Sequence, residues 1–453
     1  MKKILFIVFS LTSLLCSADN DDIYYYIMQN FENHRIVRDY IGYNDFSSYI
    51  TDLSTTDYGK PGDGYANYGI FLYLHDDAFL KYIDPMSYRN TDIEMWEVKY
   101  DETRYSNQRF SADVYPCSQD ANGVWQKHTD VAIYRIESPY NTKLLNRLDY
   151  LIKDLIINEP YVDGKKIYHT LGNHYVKIEK KGNDLYVTSP FLSSTGSAVK
   201  ADNVIDVTNG KVIELNPSVL TFSQNVYHTL SAHPEFSEFM NLMRASGVLG
   251  YIANSYYSSD KTFGNMMISS KTNANRALPL FLQYNYTLYV PTNEAMQMAY
   301  AAGLPTIQQL IEAEDSGDES GAYNITTIMR NFVMYHLHNN SVFIDKGFET
   351  EYYKSLKMKK YEYIDDYGEP TGTYLNGAPY KLYVDVDENH LSVRDATGNT
   401  RNVVKTEGMY NIMACEYWGD KTNANITNLS SVVIHAIDGP LLFSSSQFTS
   451  ADE

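Results

Sequence analysis

Catalytic motifs would give the clearest chemistry in this sequence, and none of the common ones is present. The 453 residues contain no Gly-x-Ser-x-Gly nucleophile motif and no His-Glu-x-x-His zinc motif. The eleven histidines are scattered without metal-site spacing, and no glycine-rich phosphate loop occurs. We therefore predict a protein that is not an enzyme and that uses neither a cofactor nor a metal ion.

Two acidic segments have the composition of calcium ligands. The segment Asp385–Asn389 begins like a calcium loop, but His390 occupies the position of the turn glycine and Ala396 that of the bidentate glutamate. It is therefore predicted to be a hairpin turn between two short strands. The run from Glu314 to Glu319 could bind calcium weakly, although a solvated loop is the simpler interpretation.

The residues around position 290 predict the elements that organise the chain. Tyr286 to Val290 are strand formers, and Pro291 ends the strand because it cannot donate to a ladder. Thr292 or Asn293 can then cap a helix, with Glu294 in its first turn. The segment is predicted to be a buried strand, a tight junction and a helix.

Three segments resemble the signature segments of fasciclin-like domains, in the order expected of that family. Tyr286–Met296 resembles the first, Phe332–His336 resembles the second, which ends in Tyr-His, and Val433–Leu442 resembles the closing strand. Each alone would be a weak match, but three in order make a specific one. The resemblance implies an α/β (α+β) fold in which each domain is a β-wedge or sandwich with packed helices.

The first half of the chain is predicted to hold a degenerate copy of this domain, which makes two tandem fasciclin-like domains. Its first strand is Phe71–Leu74, and the numbering of the later copy is offset from it by 217. Its helix parallels the one that ends at His336, at an offset of 181, so that Asp154 and Leu155 stand where the Tyr-His pair stands. Its closing strand lies within Thr208–Asn216, at an offset of 222.

The offsets define the predicted domain limits and two insertions. The domains are residues 38–222 and 226–444, followed by a disordered tail at 445–453. The first domain carries about 36 extra residues near 85–135, and the second about 41 extra residues within 357–425. Long insertions on a compact scaffold are usually surface loops or hairpins, and they often carry function.

Two groups of residues are candidate binding sites. The resemblance associates Tyr335 and His336 with adhesion to partners, whereas the structural alternative is a core tyrosine and a histidine bonded to nearby backbone. The aromatic residues of the insertions could form a sugar-stacking or protein-contact surface, or they could supply a small core for each insertion. These aromatic candidates are Trp96, Trp125, Tyr363 and Trp418.

The N-terminus has the features of a lipoprotein signal peptide. Lys2 and Lys3 precede the apolar stretch Ile4–Leu15, which is too short to span a membrane as a mature helix. The residues around Cys16 resemble a bacterial lipobox, in which this cysteine is acylated. Residues 1–16 are therefore predicted to be the signal, and acyl chains on Cys16 would anchor the protein in a membrane.

A tether is predicted to follow the anchor, at residues 17–37. It begins with the acidic segment Ser17–Asp22, which resembles the surface-export signal of lipoproteins in some Gram-negative anaerobes. The alternatives are a plain soluble tether or a lipoprotein kept on the periplasmic side. Export places the protein on the outer membrane, facing the cell exterior.

Composition excludes some partners. The net charge of −19 argues against nucleic acid and against electrostatic docking on anionic lipid. The 42 tyrosines fit either a contact surface or a tyrosine-rich core. Beyond the signal, Cys117 and Cys415 are the remaining cysteines, and two unpaired thiols are a better prediction than a bridge between domains.

These observations predict a non-enzymatic, surface-exposed lipoprotein that acts as a binding module. Its resemblance to surface lipoproteins implies an accessory subunit of a TonB-dependent nutrient importer. The partners would be an outer-membrane transporter and its lid lipoprotein, and the ligand a glycan or peptide. The alternative is an adhesin that binds host matrix or neighbouring cells, as fasciclin-like domains do elsewhere.

Overall fold

A computed structural model describes most of the chain. The described residues are 22–43, 69–89, 93–105, 108–120, 124–137, 142–192, 197–217, 220–221, 226–246, 285–359, 361–364, 370–374, 378–419 and 426–449. Helices and strands alternate irregularly through these ranges, which confirms the predicted α+β class. None of the helices in the described ranges combines the length and the apolar character needed to cross a membrane.

Within the described ranges the two longest helices have 13 and 17 residues. In chain order the helices are α1 Ile23–Gln29, α2 Arg35–Tyr43, α3 Thr142–Asp154, α4 Val226–Ser231, α5 Ser237–Ala245, α6 Asn293–Ala301, α7 Ile307–Ser316 and α8 Glu319–Tyr335. Short 3₁₀ helices occupy Asp76–Leu80, Pro85–Arg89 and Pro234–Phe236.

The strands of the first half form three sheets, in the orders β12-β13-β1-β7, β11-β10-β9-β8 and β14-β2-β3-β4-β5, with β6 also paired to β4. They are β1 Gly69–Leu74, β2 Tyr82–Ile83, β3 Ile93–Tyr100, β4 Phe110–Gln119, β5 Trp125–Lys127, β6 Tyr134–Glu137, β7 Ile156–Ile157, β8 Ile167–His169, β9 Tyr175–Lys181, β10 Asp184–Thr188, β11 Val199–Lys200, β12 Asn203–Val207, β13 Gly210–Leu215 and β14 Leu220–Thr221.

The strands of the second half form one eight-stranded sheet, in the order β22-β21-β20-β17-β16-β15-β24-β23, and the separate hairpin β18-β19. They are β15 Tyr286–Pro291, β16 Leu337–Asn339, β17 Glu351–Met358, β18 Tyr361–Ile364, β19 Pro370–Tyr374, β20 Pro379–Val386, β21 Leu391–Arg394, β22 Thr400–Asn402, β23 Ile412–Gly419 and β24 Ile426–Ile437.

The two halves repeat one arrangement of three strands. β1 pairs in parallel with β13 and antiparallel with β7, and β15 pairs in the same way with β24 and β16. Leu72 lies opposite Ile213, and Tyr289 lies opposite His435, so the predicted offsets of the first and the closing strand are both reproduced. The parallel pairing of first and closing strand is therefore the frame of each repeat.

The third strand of each repeat, β7 or β16, agrees with the remaining offset of 181. Ile70 pairs with Ile157 in the first repeat, and Thr287 pairs with His338 in the second, so that Ile157 and His338 are related by the offset predicted for the helix end. In each repeat this strand follows directly on a long helix, α3 or α8. The helix end, the short strand and the first strand thus form one unit that the sequence specifies twice.

Each repeat packs its helices on its sheet, and the first core also includes residues of the second repeat. The first core includes β1, β7, β13 and the apolar face of α3, together with Tyr417 and Leu429 of the second repeat's strands β23 and β24. The second core lies between α5, α8 and the strands β15 and β24. The domain limits 38–222 and 226–444 stay predictions.

The described part of the predicted tether is helical and packs on the first repeat. Residues 22–37 contain α1 and the start of α2, and Ile23 and Ile27 are fully buried in the first core. The backbone N–H of Ile23 also donates to the side-chain oxygen of Asn209, at 2.9 Å. The segment is held because its isoleucines recur on one helix face and bury apolar surface.

The structure also differs from the sequence-based expectation in the acidic run and at the start of the predicted tail. The run Glu314–Glu319 is not a loop: α7 ends at Ser316, Gly317 adopts the left-handed conformation, and Asp318 caps α8. This happens because glycine tolerates a positive φ angle and aspartate accepts from a helix N-terminus. The predicted tail begins in ordered chain, where Phe448 packs on the second core, and residues 450–453 lie outside the described part.

The described parts of both predicted insertions consist mainly of antiparallel strands. The insertion near 85–135 supplies β3 to β6, which pair antiparallel. The insertion within 357–425 includes the β18-β19 hairpin and β20 to β22. The predicted hairpin turn after Asp385 is confirmed, because β20 and β21 pair antiparallel on either side of it.

Candidate functional site

Tyr335 and His336 lie at the C-terminal end of α8, and both are fully buried. The Tyr335 hydroxyl accepts the Ala396 N–H at 2.8 Å. The His336 Nδ1–H donates to the Phe332 carbonyl at 2.8 Å, and its Nε2 accepts the Leu441 N–H at 3.0 Å. Burial lowers the pKa of His336 to about 3. Both side chains fasten the helix end to neighbouring segments, which agrees with the structural alternative.

Two more histidines of the second repeat are fully buried and satisfied. The His338 Nδ1–H donates to the Asn339 carbonyl at 2.5 Å, and its Nε2 accepts the Tyr289 hydroxyl at 3.0 Å. The His435 Nε2–H donates to the Val342 carbonyl at 2.9 Å. Burial lowers the pKa of His338 to about 3 and that of His435 to about 4. These rings are neutral core residues at pH 7.

Trp96 and Trp125 lie in the interior of the first insertion. Trp96 is fully buried, its Nε1–H donates to Glu94 at 3.0 Å, and the Lys143 ammonium lies 4.8 Å from its ring centroid. Trp125 is 3% exposed and packs against Cys117. Neither ring presents a face to solvent, so packing accounts for both. The binding role of these two residues stays a prediction.

The side chains of three predicted residues lie outside the described part of the chain. Cys16, the predicted lipidation site, lies outside the described residues. Tyr363 is a residue of β18 and Trp418 a residue of β23, but their side chains are outside the described part. Cys117 and Cys415 are buried and unpaired, as predicted.

An exposed aromatic row crosses the outer face of the second repeat. Tyr352 of β17 lies opposite Tyr383 of β20, which lies opposite Arg394 of β21. The two tyrosine ring centroids are 5.0 Å apart, and the Arg394 guanidinium lies 4.6 Å from the Tyr383 ring. Tyr352 is 57% exposed. The alternation of inward and outward residues was the only sequence signal for this tyrosine–arginine row.

A second arrangement, of two imidazoles and a carboxylate, lies at the carboxyl end of β1. One donor atom each from His34, His75 and Glu214 lies within 4.8 Å of the others. His34 Nε2 is 4.0 Å from Glu214 Oε1, and the His34 ring stacks on Tyr73 with centroids 3.9 Å apart. His34 and Glu214 are 5% and 7% exposed. Burial lowers the pKa of His34, so its ring is neutral at pH 7.

Sequence inspection missed this His34–His75–Glu214 cluster. His34 lies between α1 and α2, His75 directly follows β1, and Glu214 lies in β13, so the three are far apart in sequence. They meet because Glu214 lies opposite Tyr73 in the parallel pair and α1 and α2 pack on the same sheet. No local spacing could have indicated this, since the contact depends on the register of a closing strand.

A buried ion pair joins the two repeats. His174 Nδ1 lies 2.6 Å from an Asp154 carboxylate oxygen that also accepts the Thr170 hydroxyl. His174 Nε2 lies 2.7 Å from the hydroxyl of Tyr417, a residue of β23. Burial disfavours the charged imidazole, yet the Asp154 carboxylate raises the pKa of His174 to about 10. The arrangement is a charged link between α3 and the second repeat.

Similarity to characterised proteins is distant. No protein-family model matches the chain, and no curated protein matches it. Among solved structures it is similar to a FAS1 domain pair from the insect cell adhesion molecule fasciclin I. That match has 11% identity, covers 91% of this chain and 98% of that chain, and has a TM-score of 0.29. The fold description rests on the strand topology given above.

Proposed function

We propose that the chain is a non-enzymatic binding module displayed on the bacterial outer membrane. Acylation of Cys16 would anchor it there, facing the cell exterior. In this proposal it serves as an accessory subunit of a TonB-dependent importer, beside the transporter and its lid lipoprotein. The ligand is a glycan or a peptide.

The tyrosine–arginine row is the observation that supports this proposal most. Its residues stand side by side on three paired strands, so their positions relative to one another are fixed by the sheet. Tyrosine and arginine are the residue types enriched where proteins bind partners, and tyrosine rings also stack on sugars. The exposed side chains of Lys354 and Lys381 lie two positions along the same strands.

The opposite face of these strands explains why the row is held outward. Tyr353, Leu382 and Val393 are buried in a third core, which they share with Tyr289 and Tyr335, and they alternate with the outward residues. A one-residue slip would exchange the two faces, so the buried core fixes the exposure of the row. Display of the row therefore follows from packing and needs no ligand.

Capture from outer membranes tests the proposal. The full chain, carrying a C-terminal tag, is isolated in mild detergent, and co-purifying proteins are identified. We expect a transporter and its lid lipoprotein in stable ratio with the wild type, and loss of this complex or of glycan and peptide binding in the double variant Tyr352→Ala, Tyr383→Ala. The control is Tyr323→Ala, because Tyr323 is 70% exposed but lies on α8.

Two outcomes would oppose the importer assignment. If the double variant captured the same partners and bound the same ligands as the wild type, the row would have no part in binding. If no transporter co-purified and a deletion strain grew normally on each nutrient but adhered poorly, the adhesin alternative would replace the importer. In that case matrix binding by the same double variant would be measured next.

A further inference from the structure

We propose that His34, His75 and Glu214 form a binding site for a transition-metal cation, for which Zn²⁺ is the best-fitting ion. The site would fasten the N-terminal helices α1 and α2 to the sheet of the first repeat. Within the described residues this is the one group of three such side chains whose donor atoms converge. It is separate from the tyrosine–arginine row and independent of the function proposed for it.

The orientation of His34 leaves a lone pair facing Glu214. The Leu74 carbonyl, 2.7 Å from His34 Nδ1, can only accept a hydrogen bond, so Nδ1 carries the hydrogen of the neutral ring. Nε2 is then an acceptor, and it lies 4.0 Å from Glu214 Oε1, which is also an acceptor. Two acceptors that face each other inside a protein are stabilised by a cation between them.

Glu214 is held as metal-binding carboxylates commonly are. The Tyr26 hydroxyl donates to its Oε1 at 2.9 Å, and the Asn203 amide donates to its Oε2 at 2.6 Å. Burial and the Glu214 carboxylate raise the pKa of Tyr26, so the phenol keeps its proton. Hydrogen bonds of this kind orient metal ligands. The hydrogen bond from His34 Nδ1 to the Leu74 carbonyl orients the His34 ring in the same way. The cluster therefore has an outer shell of partners as well as donors.

His75 gives the site an open side. Its Nε2 is buried and has no hydrogen-bond partner, although it lies 3.4 Å from Asp202 Oδ2. The His75 side chain is 20% exposed and that of Asp202 is 49% exposed, so an ion and water can reach the cluster from this side. Asp202 or a water molecule would supply the fourth ligand of a tetrahedral site.

The donor set selects the class of ion. Two imidazoles and one carboxylate suit zinc and its neighbours, whereas calcium and magnesium prefer sites made only of oxygen. Tetrahedral zinc with bonds of about 2.0–2.2 Å places its ligand atoms roughly 3.3 Å apart. Ligand atoms that are now up to 4.8 Å apart must therefore approach by about 1.5 Å, a movement that the partly exposed His75 side chain can make.

The second repeat provides an internal contrast. The residues that align with His75 and Glu214 there are Thr292 and Ala436, by the offsets of the first and the closing strand. Thr292 caps α6 and Ala436 is buried in the core, so neither position offers a metal ligand of this kind. The frame does not require donors at these positions, and their presence in the first repeat calls for a separate explanation.

Zinc titration of the purified protein tests the site. The full chain in mild detergent, with a histidine-free tag and stripped by a chelator, is titrated with ZnCl₂ in a calorimeter. We expect one saturable zinc per chain and a rise in Tm on binding. His75→Gln and Glu214→Gln should each lower the affinity by more than the 10–100-fold typical of second-shell changes. His390→Gln, at an exposed histidine outside the cluster, is the matched control.

A variant that keeps all three donors separates metal binding from folding. Tyr26→Phe removes only the hydroxyl that orients Glu214, and it should weaken zinc binding about 10-fold. Substitution by Co²⁺ gives a visible spectrum of nitrogen and oxygen ligands, without the thiolate charge-transfer bands that Cys117 or Cys415 would produce. Loss of the visible bands in His75→Gln would assign them to this site.

Three results would overturn the proposal. The wild type could show no saturable zinc binding, or it could bind zinc unchanged after His75→Gln and Glu214→Gln. Thiolate bands in the cobalt spectrum would place the ion at a cysteine instead. Because the wild-type titration is itself decisive, the proposal stays falsifiable even if a substituted chain fails to fold.

Discussion

The two repeats share three strands and a helix but place their ionisable side chains at different positions of this frame. In the second repeat His336, His338 and His435 are buried, and burial keeps their pKa values at about 3 to 4. Each ring nitrogen that carries or accepts a hydrogen bond does so within the repeat. The residues that align with them in the first repeat are Leu155, Ile157 and Ile213.

The first repeat carries charge where the second is neutral. Asp154, which aligns with Tyr335, pairs with a charged His174 whose pKa is raised to about 10. Glu214 lies where the second repeat has Ala436. The apolar strand pairing therefore specifies the frame, and the polar side chains differ between the two repeats. In one repeat they fasten backbone segments, and in the other they form charged contacts.

Removal of the charged link between His174 and Asp154 should lower the free energy of unfolding most. Asp154→Asn leaves the buried His174 imidazolium without its counter-ion, so we expect the free energy of unfolding to fall by roughly 3–5 kcal/mol. Urea unfolding at pH 7 measures this. The matched control is Asp149→Asn on the same helix, whose ion pair with Lys153 is part-exposed and should contribute less than about 1 kcal/mol.

Equal losses in these two variants would erase the distinction between the repeats. They would mean that the link between His174 and Asp154 is no stronger than a surface ion pair. A loss restricted to Asp154→Asn would show that the buried link between His174 and Asp154 stabilises the fold more than a surface ion pair does.

The next-largest loss of unfolding free energy is expected for a variant of the second repeat. His336→Leu introduces the residue type that the first repeat has at this position, and it deprives the Phe332 carbonyl and the Leu441 N–H of their partner. A buried polar group left unpaired costs about 1–3 kcal/mol, so we expect a loss of about 2–4 kcal/mol. Urea midpoints measure it, with His390→Leu as an exposed control. No loss would show that the frame accepts leucine in either repeat.

The stabilising contributions of His336 and His174 should change with pH in opposite directions. The pKa of folded His336 is about 3, below its unfolded value, so its contribution is complete above about pH 6.5 and is lost as the pH falls. The difference between wild type and His336→Leu should narrow by up to about 2 kcal/mol between pH 6.5 and pH 5. For His174, with a folded pKa of about 10, stability is lost as the pH rises from 6.5 towards 10.

Unfolding curves collected across this pH range check both directions. The loss of unfolding free energy caused by Asp154→Asn should become smaller at alkaline pH. There His174 is neutral in the unfolded chain and increasingly neutral in the folded one, so it no longer needs a counter-ion. If both variants instead shifted in the same direction, the two sets of histidines would not differ in charge.

The frame was predictable from the sequence because it is local or repeated. The β-formers before Pro291 predict a strand that the structure extends only to that proline, and three offsets predict which segments of the two halves correspond. The cluster was not predictable, because it depends on α1 and α2 packing against β13. Trp96 was equally ambiguous: an aromatic residue in a hairpin faces inward or outward according to register alone.

Substitutions at the junction after the first strand of each repeat should change the free energy of unfolding least. In the second repeat the Thr292 hydroxyl accepts the Ala295 N–H at 3.2 Å and caps α6. Thr292→Ala should therefore lower the free energy of unfolding by about 1 kcal/mol, whereas Thr292→Ser should retain the cap. Urea unfolding measures both variants, and an equal loss in the serine variant would exclude the hydroxyl as the cause.

The first repeat has no such cap at the aligned position. His75 makes no side-chain capping bond to the 3₁₀ helix Asp76–Leu80, so His75→Ala in metal-free protein should have a smaller effect than Thr292→Ala. With saturating zinc the order should reverse, because the wild type alone gains the binding free energy. A histidine that stabilises only in the presence of metal would show that the two repeats use the same junction for different purposes.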